Sequence, residues 1–326
     1  MRRKSAISIA AGMALLLTVS IFMLSGQACG QASAVNKSRW DAQYFPNVPL
    51  TTQDGTAVHF YDDLLKGKAV VINLIYTHCQ HECPLETARL AQVQRLLGDR
   101  VGKDIFFYSI SIDPTRDTPT VLKAYADKFH VGPGWLFLTG KKEDITLISK
   151  KLGLSSLTDA ANRDGHMPSL MIGNEATGQW MRHSAVDNPQ FLAVAIGNFL
   201  HGWHDQKVEK SYADVPPIPP LDAGAYLFRT RCAACHTVGQ GDRVGPDLLG
   251  VTHRRERAWL ARYVQVPDQL RAEHDAIATA LTAQYPDVLM PNLGLGEGDV
   301  AALLNYLEAQ NATLQTTEKH HALPAP

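Results

Sequence analysis

The feature that most constrains the fold of this chain is a pair of cysteines between a strand and a helix. Residues 69–73 are mainly apolar and rich in β-branched side chains, which predicts a buried strand. Residues 85–97 have helical periodicity, and Pro84 suits a first helical turn. Because a helix N-terminus favours thiolate over thiol, Cys79 and Cys83 are predicted to be redox-active or metal-binding. A structural disulfide or two buried cysteines is the alternative.

The composition is that of a soluble protein of about two domains. The 326 residues are 45% hydrophobic and 19% charged, which allows two hydrophobic cores. A net charge of −1 gives no indication of nucleic acid or of a strongly charged partner. Cys29 lies beside the N-terminal leader, and the other four cysteines form two local pairs. Since this is not the framework of a small disulfide-rich domain, we expect the cysteines to take part in redox or metal-binding chemistry.

Residues 1–34 have the pattern of an export signal or a membrane anchor. A basic cap is followed by the uncharged run 6–24, which is long for a signal peptide and short for a spanning helix. The sequence Ala32-Ser33-Ala34 suits signal peptidase, whereas Cys29 follows a poor lipoprotein box. Cleavage, a retained anchor and lipidation of Cys29 all stay open. In each case we expect a periplasmic protein, anchored to the cytoplasmic membrane or secreted.

Residues 42–205 alternate between strand and helix patterns. A hairpin with an Asp-Gly turn is expected within residues 48–60, and a second buried strand at 104–112. The other predicted elements are helices at 121–129, 143–152 and 190–200 and strands at 135–138, 168–172 and 179–182. Interleaved strands and helices predict an α/β sheet. With the cysteines after the first core strand, the plan is thioredoxin-like.

The second half of the chain has a different character. Residues 206–220 are predicted to be a proline-rich, stiff linker. Residues 221–311 are predicted to form an all-α domain with a long glycine-rich loop through Gly250. Its helices are expected at 224–231, 256–263, 269–280 and 298–310. Residues 312–326 are predicted to be a disordered tail.

The sequence Cys232-Ala233-Ala234-Cys235-His236 has the spacing of c-type haem attachment. Both thiols can add to the haem vinyl groups while the adjacent imidazole reaches the iron. A zinc or dithiol site is the alternative. An amphipathic helix start at 224–228 precedes the motif, and the loop 245–248 follows at a distance suited to covering the histidine.

The second iron ligand is predicted to be Met290, the only methionine after the haem motif. The alternative is that Met290 fills the core. The rival iron ligands are the histidines His253, His274, His320 and His321. Residues 221–311 resemble a small class I cytochrome c, which implies covalently bound haem c.

The first half of the chain resembles the Sco/SenC family. The resemblance rests on the motif 76–84, on the loop 111–119 and on a later lone histidine. It implies a thioredoxin-like fold that binds copper through the two motif cysteines and that histidine, here Cys79, Cys83 and His166. Two thiolates hold Cu(I) well, and an added imidazole also accommodates Cu(II).

Three details of this copper site stay open from the sequence. His166 is matched because it closely precedes the predicted strand, and His183 is its rival. Where the family has Pro and then Asp after the first cysteine, this chain has Gln80-His81-Glu82, so His81 is a further candidate ligand or base. Asp113 either orients a ligand or the active loop, or is an ordinary turn residue.

The resemblance implies a copper chaperone that assists assembly of the Cu-A centre of cytochrome c oxidase, with the haem as redox partner. The expected partners are the oxidase subunit that carries Cu-A and other respiratory redox proteins. A thiol–disulfide reductase acting on the oxidase cysteines is the first alternative. An electron carrier whose thioredoxin-like part is a docking module is the second.

Overall fold

The computed structural model describes residues 40–79, 82–154, 169–199, 222–286 and 288–321. Its first part is built on a seven-stranded mixed sheet in the order β2-β1-β5-β4-β3-β6-β7. The strands are β1 (Pro49–Thr52), β2 (Ala57–His59), β3 (Ala69–Ile75), β4 (Ile105–Ser111), β5 (Trp135–Gly140), β6 (Ser169–Asn174) and β7 (Gln179–Ser184). Strands β3, β4 and β5 are parallel neighbours, and the other pairings are antiparallel. The predicted α/β, thioredoxin-like plan is confirmed.

Helices cover both faces of this sheet. The helices are α1 (Glu82–Leu97), α2 (Pro119–Lys128), α3 (Lys142–Leu152) and α4 (Pro189–Val194). Single helical segments also occur at Phe60–Leu65, Gly98–Arg100 and Ala195–Phe199. Helices α1, α2 and α4 contribute to one apolar cluster, and α3 with Phe60–Leu65 contributes to the other. All seven residues of β3 are therefore buried, as expected of a strand covered on both faces.

The local predictions in this part place most elements correctly. The Asp54-Gly55 turn joins β1 to β2, and Gly55 has a φ of +81°, a backbone conformation that glycine adopts readily. The thiol helix begins at Glu82, three residues earlier than its periodicity indicated, so Cys83 lies in its first turn. The leader, residues 155–168 and the linker 206–220 lie outside the described residues. Within the described ranges, no helix is both long and apolar enough to cross a membrane.

The second part is helical, and it contacts the first within one compact unit, residues 39–326. Its helices are α5 (Ala223–Leu227), α6 (Val251–Arg254), α7 (Arg257–Gln265), α8 (Pro267–Ala272), α9 (Ala276–Gln284) and α10 (Glu297–His321), with a helical segment at Phe228–Cys232. Helix α5 packs directly on α10, because a Cβ at Gly224 would lie 2.2 Å from the carbonyl oxygen of Ala302. The all-α prediction is confirmed.

Two helix predictions in this part differ from the structure. The helix expected at 269–280 is two helices, because His274 has a φ of +56° and the Asp275 side chain caps α9 by accepting from the N–H of Ile277 and Ala278. Helix α10 continues to His321, so residues 312–321 are helical where a disordered tail was expected. After Gly298 the sequence has no glycine or proline before Pro324, so nothing interrupts the helix.

Candidate metal centres

Cys79 and Cys83 lie together at the carboxyl end of the central strand β3. Cys79 is in the loop after Ile75, and Cys83 is in the first turn of α1. Cys79 is 7% exposed and Cys83 is fully buried. The backbone N–H of Cys83 donates to Cys79 Sγ at 3.5 Å. The structure therefore brings both predicted thiols into one shielded site.

The metal-free protein keeps the Cys83 thiol protonated. The pKa of Cys83 is raised far above its usual range, chiefly because its thiol bonds to Cys79 and also because it is buried. The nearby Cys79 and Glu86 add to this by disfavouring a further negative charge. For Cys83, these effects outweigh the helix N-terminus that favours thiolate. A bound cation replaces such a proton, so the site is one in which metal binding releases protons.

Asp117 fastens the loop that carries Cys79. Its carboxylate is fully buried and accepts from the Thr77 N–H at 3.1 Å and the Thr77 hydroxyl at 2.6 Å. It also accepts from the Ser111 hydroxyl at 2.5 Å. Asp117 thus joins the thiol loop to the end of β4. Sequence reasoning singled out Asp113 in this loop and missed Asp117, although both carboxylates stand in the same motif.

Asp113 lies at the rim of the site. Its carboxylate is 3.6 Å from Nε2 of His78, the residue before Cys79. The same His78 nitrogen lies 3.0 Å from a guanidinium nitrogen of Arg116, and the His78 ring packs edge-on against Tyr76. Asp113 and Arg116 therefore contact the thiol loop through His78.

A buried polar chain runs beneath the thiols. Asn73 donates to Glu86 at 3.3 Å and accepts from the Ser109 hydroxyl at 2.7 Å. The Trp135 indole N–H donates to Ser109 at 2.9 Å. Glu86 is fully buried one turn after Cys83, which places a carboxyl group close to the thiol pair. The only sequence signal for these linked hydrogen bonds was a single asparagine within the apolar run of β3.

The third copper ligand predicted from the resemblance, His166, lies outside the described residues, as does His81. The rival His183 is on β7, where its side chain is 15% exposed. Its Nδ1 is 3.7 Å from the Asp187 carboxylate, and its ring packs against Phe191 of α4. Within the part that the structure describes, no group of three His, Cys, Asp or Glu side chains is arranged to hold a metal. Of the predicted copper ligands, the structure describes the two thiols.

The second pair of cysteines lines a cavity in the helical part of the chain. Cys232, Cys235, His236 and Met290 all line this cavity. The rest of the lining is largely apolar, with Leu85, Val244, Leu281, Val288, Leu289 and Leu293 beside Tyr263 and Arg271. The structure thus gathers all four residues predicted to hold haem.

The histidine of the motif is held in the form that binds iron. Nδ1 of His236 is 2.8 Å from the carbonyl oxygen of Pro246, which fixes the ring and leaves Nε2 for a ligand. Burial lowers the pKa of His236, so its imidazole is neutral near pH 7. Arg271 donates to the Met290 carbonyl at 3.0 Å and thereby positions that segment.

The other candidate iron ligands are placed differently. His253 and His274 are exposed and do not line the cavity. The side chains of His320 and His321 lie outside the described part of the chain. Burial raises the pKa of Cys232 to about 12 and that of Cys235 to about 11, so both are neutral thiols before attachment. Two thiols, a fixed neutral imidazole and a thioether around an apolar cavity fit covalently bound haem.

Gly245 gives a direct test of this arrangement. A Cβ at Gly245 would lie 2.7 Å from Cε1 and 3.1 Å from Nδ1 of His236. We expect Gly245→Ala to displace the ring, break its bond to Pro246 and cost about 1–3 kcal/mol of unfolding free energy. The haem absorption spectrum and urea unfolding would measure both effects. Gly296→Ala is the matched control, because its Cβ would have no neighbour nearer than 3.9 Å. Equal behaviour of the two variants would contradict the expected contact.

Comparisons with known proteins match two separate parts of the chain. Residues 39–173 match the SCO1/SenC family model, and residues 221–311 match the cytochrome c model. A SCO2-like protein of Rickettsia felis is 30% identical over 136 residues, which are 40% of this chain and 64% of that protein. The chain therefore matches less than two thirds of the length of this relative.

Two solved structures are also similar to this chain. A SCO1/SenC family lipoprotein from Bacillus anthracis is 30% identical and has a TM-score of 0.43; the match covers 52% of this chain and all of that one. Bradyrhizobium japonicum ScoI with copper bound is 26% identical and has a TM-score of 0.39; the match covers 47% and 96% of the two chains. Together with the two family models, the sheet and the haem-motif cavity identify the chain as a SCO1/SenC domain fused to a cytochrome c domain.

Proposed function

We propose that this protein is an exported copper chaperone that assists assembly of the Cu-A centre of cytochrome c oxidase. The observation that carries the proposal is the buried thiol pair at the end of β3, with the Cys83 N–H 3.5 Å from Cys79 Sγ. Two adjacent thiols in a shielded site suit a soft cation such as Cu(I). The Sco family is a family of cytochrome c oxidase assembly proteins, and the ScoI structure holds copper.

Copper is the cargo in this proposal, held by Cys79, Cys83 and His166. Binding replaces the proton on Cys83, so that copper uptake releases protons and acid favours release. The imidazole lets the site hold Cu(II) as well as Cu(I). Asp117 keeps the thiol loop in place while the metal enters or leaves.

The cytochrome domain would hold haem c through thioethers from Cys232 and Cys235, with His236 and Met290 as iron ligands. Such a group supplies a one-electron redox centre when it is bound. The protein's own contribution is to fix the His236 ring through Pro246 and to surround the cavity with apolar side chains. These side chains exclude water, and a dry environment is one of the factors that set a haem potential.

The proposed location is the periplasmic side of the cytoplasmic membrane, reached through the leader at residues 1–34. The proposed partners are the oxidase subunit that carries Cu-A and other respiratory redox proteins. In this setting the protein would deliver copper to a folded or folding membrane enzyme outside the cytoplasm.

A thiol–disulfide reductase is the second candidate, because the two thiols are close enough to interact. Cys79 thiolate would attack a target disulfide, and Cys83 would then displace the target thiol, leaving a Cys79–Cys83 disulfide and a reduced target. Both this reaction and copper binding require Cys83 to lose its proton, so its raised pKa does not separate the two candidates. The copper proposal is placed first because the similar ScoI structure holds copper.

Copper stoichiometry on the purified, haem-loaded protein tests the proposal. We expect about one copper per chain in the wild type and about none in Cys83→Ser, because one thiolate leaves the cation poorly coordinated. His166→Ala should weaken binding, whereas the matched variant His183→Ala should not. If the wild type retained no more copper than Cys83→Ser, the chaperone proposal would fail and the reductase would replace it.

A further inference from the structure

The thiol helix α1 is also the surface on which the cytochrome domain sits. We call residues 228–236, which end in the haem motif, the haem-attachment segment. Gln92 of α1 donates to the carbonyl oxygen of Arg229 at 2.8 Å, and the Arg89 guanidinium donates to that of Thr230. Arg89 is 2% and Gln92 is 8% exposed, so these bonds lie within a closed contact. Polar residues that would face solvent on an isolated helix are here buried by the second domain.

The same helix supplies part of the wall around the haem cavity. Leu85 lines that cavity and stands two residues after Cys83 in the chain. Ala234, within the haem motif, is buried in the same apolar cluster as Cys83, and Cys235 packs against that cluster. The two predicted metal centres therefore share one continuous body of packed side chains, with α1 running through it.

Arg89 joins the thiol helix to the haem-attachment segment. Its guanidinium is buried and donates to the carbonyl oxygen of Thr230, two residues before Cys232. Besides Thr230, its Nη1 contacts the Gln92 side chain at 3.3 Å. Arg89 follows Cys83 by six residues, which is about 9 Å along a helix.

We propose that α1 couples the two centres, so that copper or disulfide at Cys79 and Cys83 changes the haem environment through Leu85, Arg89 and Gln92. The part of this proposal that concerns copper rests on the proposed function, whereas the part that concerns the disulfide does not. Because thermodynamic coupling is reciprocal, the oxidation state of the haem also changes the affinity of the thiol pair for copper. The docked cytochrome domain is in this way a sensor of the state of the thiol site.

The matched pair Gln92→Ala and Gln94→Ala tests the coupling in the full, haem-loaded chain. Both glutamines belong to α1 and are 8% exposed. Gln94 bonds to the carbonyl oxygens of Gly132 and Pro133, inside the thioredoxin-like domain. Only Gln92→Ala removes a bond to the haem-attachment segment. Leu85→Ala is a second interface variant that leaves every one of these hydrogen bonds in place.

Two measurements are made on each variant. The first is the haem midpoint potential with the thiol pair reduced, copper-loaded and oxidised to the disulfide. We expect the haem potential of the wild type to differ among these three states. In Gln92→Ala this difference should fall by about half or more. Gln94→Ala should behave as the wild type. The second is amide hydrogen exchange over 228–236, which we expect to quicken about fivefold in Gln92→Ala alone, as loss of one hydrogen bond allows.

The outcomes separate the two proposals. If copper does not bind, the chaperone proposal fails, and the comparison of disulfide with dithiol still decides the coupling. A wild-type potential that is the same in all three states overturns the coupling even if copper binds tightly. Equal potentials and equal exchange in Gln92→Ala and Gln94→Ala would also overturn it, because the contact would then transmit nothing.

Discussion

Replacing Asp117 by alanine is expected to cost about 3–5 kcal/mol of unfolding free energy and to abolish copper retention. The carboxylate is fully buried and accepts from both Thr77 donors and from the Ser111 hydroxyl. Without it, the buried Ser111 hydroxyl and the two half-buried Thr77 donors lose their acceptor, and each donor that stays out of water costs free energy. Thr77 stands two residues before Cys79, so the loop that presents the first thiol would lose its anchor.

Urea unfolding and copper stoichiometry would measure the two effects of Asp117→Ala. Asp127→Ala is the control, because the Asp127 side chain is 66% exposed and pairs with Lys123 of the same helix. Asp113→Ala provides a comparison within the same loop and should cost less, since its contact to His78 lies at the rim. Retention of copper by Asp117→Ala at wild-type affinity would contradict the anchoring role.

Asp247 plays the corresponding part in the cytochrome domain, and Asp247→Ala is expected to cost about 2–4 kcal/mol there. Its carboxylate accepts five hydrogen bonds, from the Thr237 hydroxyl and the N–H groups of Gly239, Gln240, Gly241 and Leu249. These donors span the loop that follows His236. Losing them should loosen the loop and broaden or shift the haem absorption bands.

The stability from Asp247 should depend on pH in a defined direction. Burial by itself raises the pKa of Asp247, but the bonds from Thr237 and from the backbone N–H groups outweigh it and hold the pKa well below its usual range. A lowered folded-state pKa gives stability that is present above the unfolded value of about 3.9 and is lost as the pH falls below it. The gap between wild type and Asp247→Ala should therefore be full at pH 7 and shrink below about pH 4.

Urea unfolding followed by haem absorbance at several pH values would measure this gap. Asp247→Asn is the graded control, since it keeps one acceptor oxygen for the Gly239 and Leu249 N–H groups and loses the other. It should lie between wild type and Asp247→Ala. A gap that stayed constant from pH 7 to pH 3 would contradict the assignment of the effect to this carboxylate.

Much of the fold was predictable because local patterns there agree with the tertiary structure. The apolar run at 69–73 had to be a buried strand, and the Asp54-Gly55 turn had to reverse the chain. The haem motif was also predictable from the sequence, because haem attachment depends on a short, fixed spacing of two cysteines and a histidine. The break between α8 and α9 at His274 was not predictable, since it depends on the left-handed backbone of His274 and on the helix cap at Asp275.

The sequence by itself determined the types of site in this protein. Two thiols at a strand–helix junction and a Cys-x-x-Cys-His motif specify chemistry through residues that are close in the chain. The tertiary structure alone decided which distant residues serve them. Asp117 reaches the thiol loop across 40 residues, and Arg89 reaches Thr230 across 141. Such contacts arise only when the sheet and both domains are packed, because buried donors and acceptors must then find partners wherever the fold supplies them.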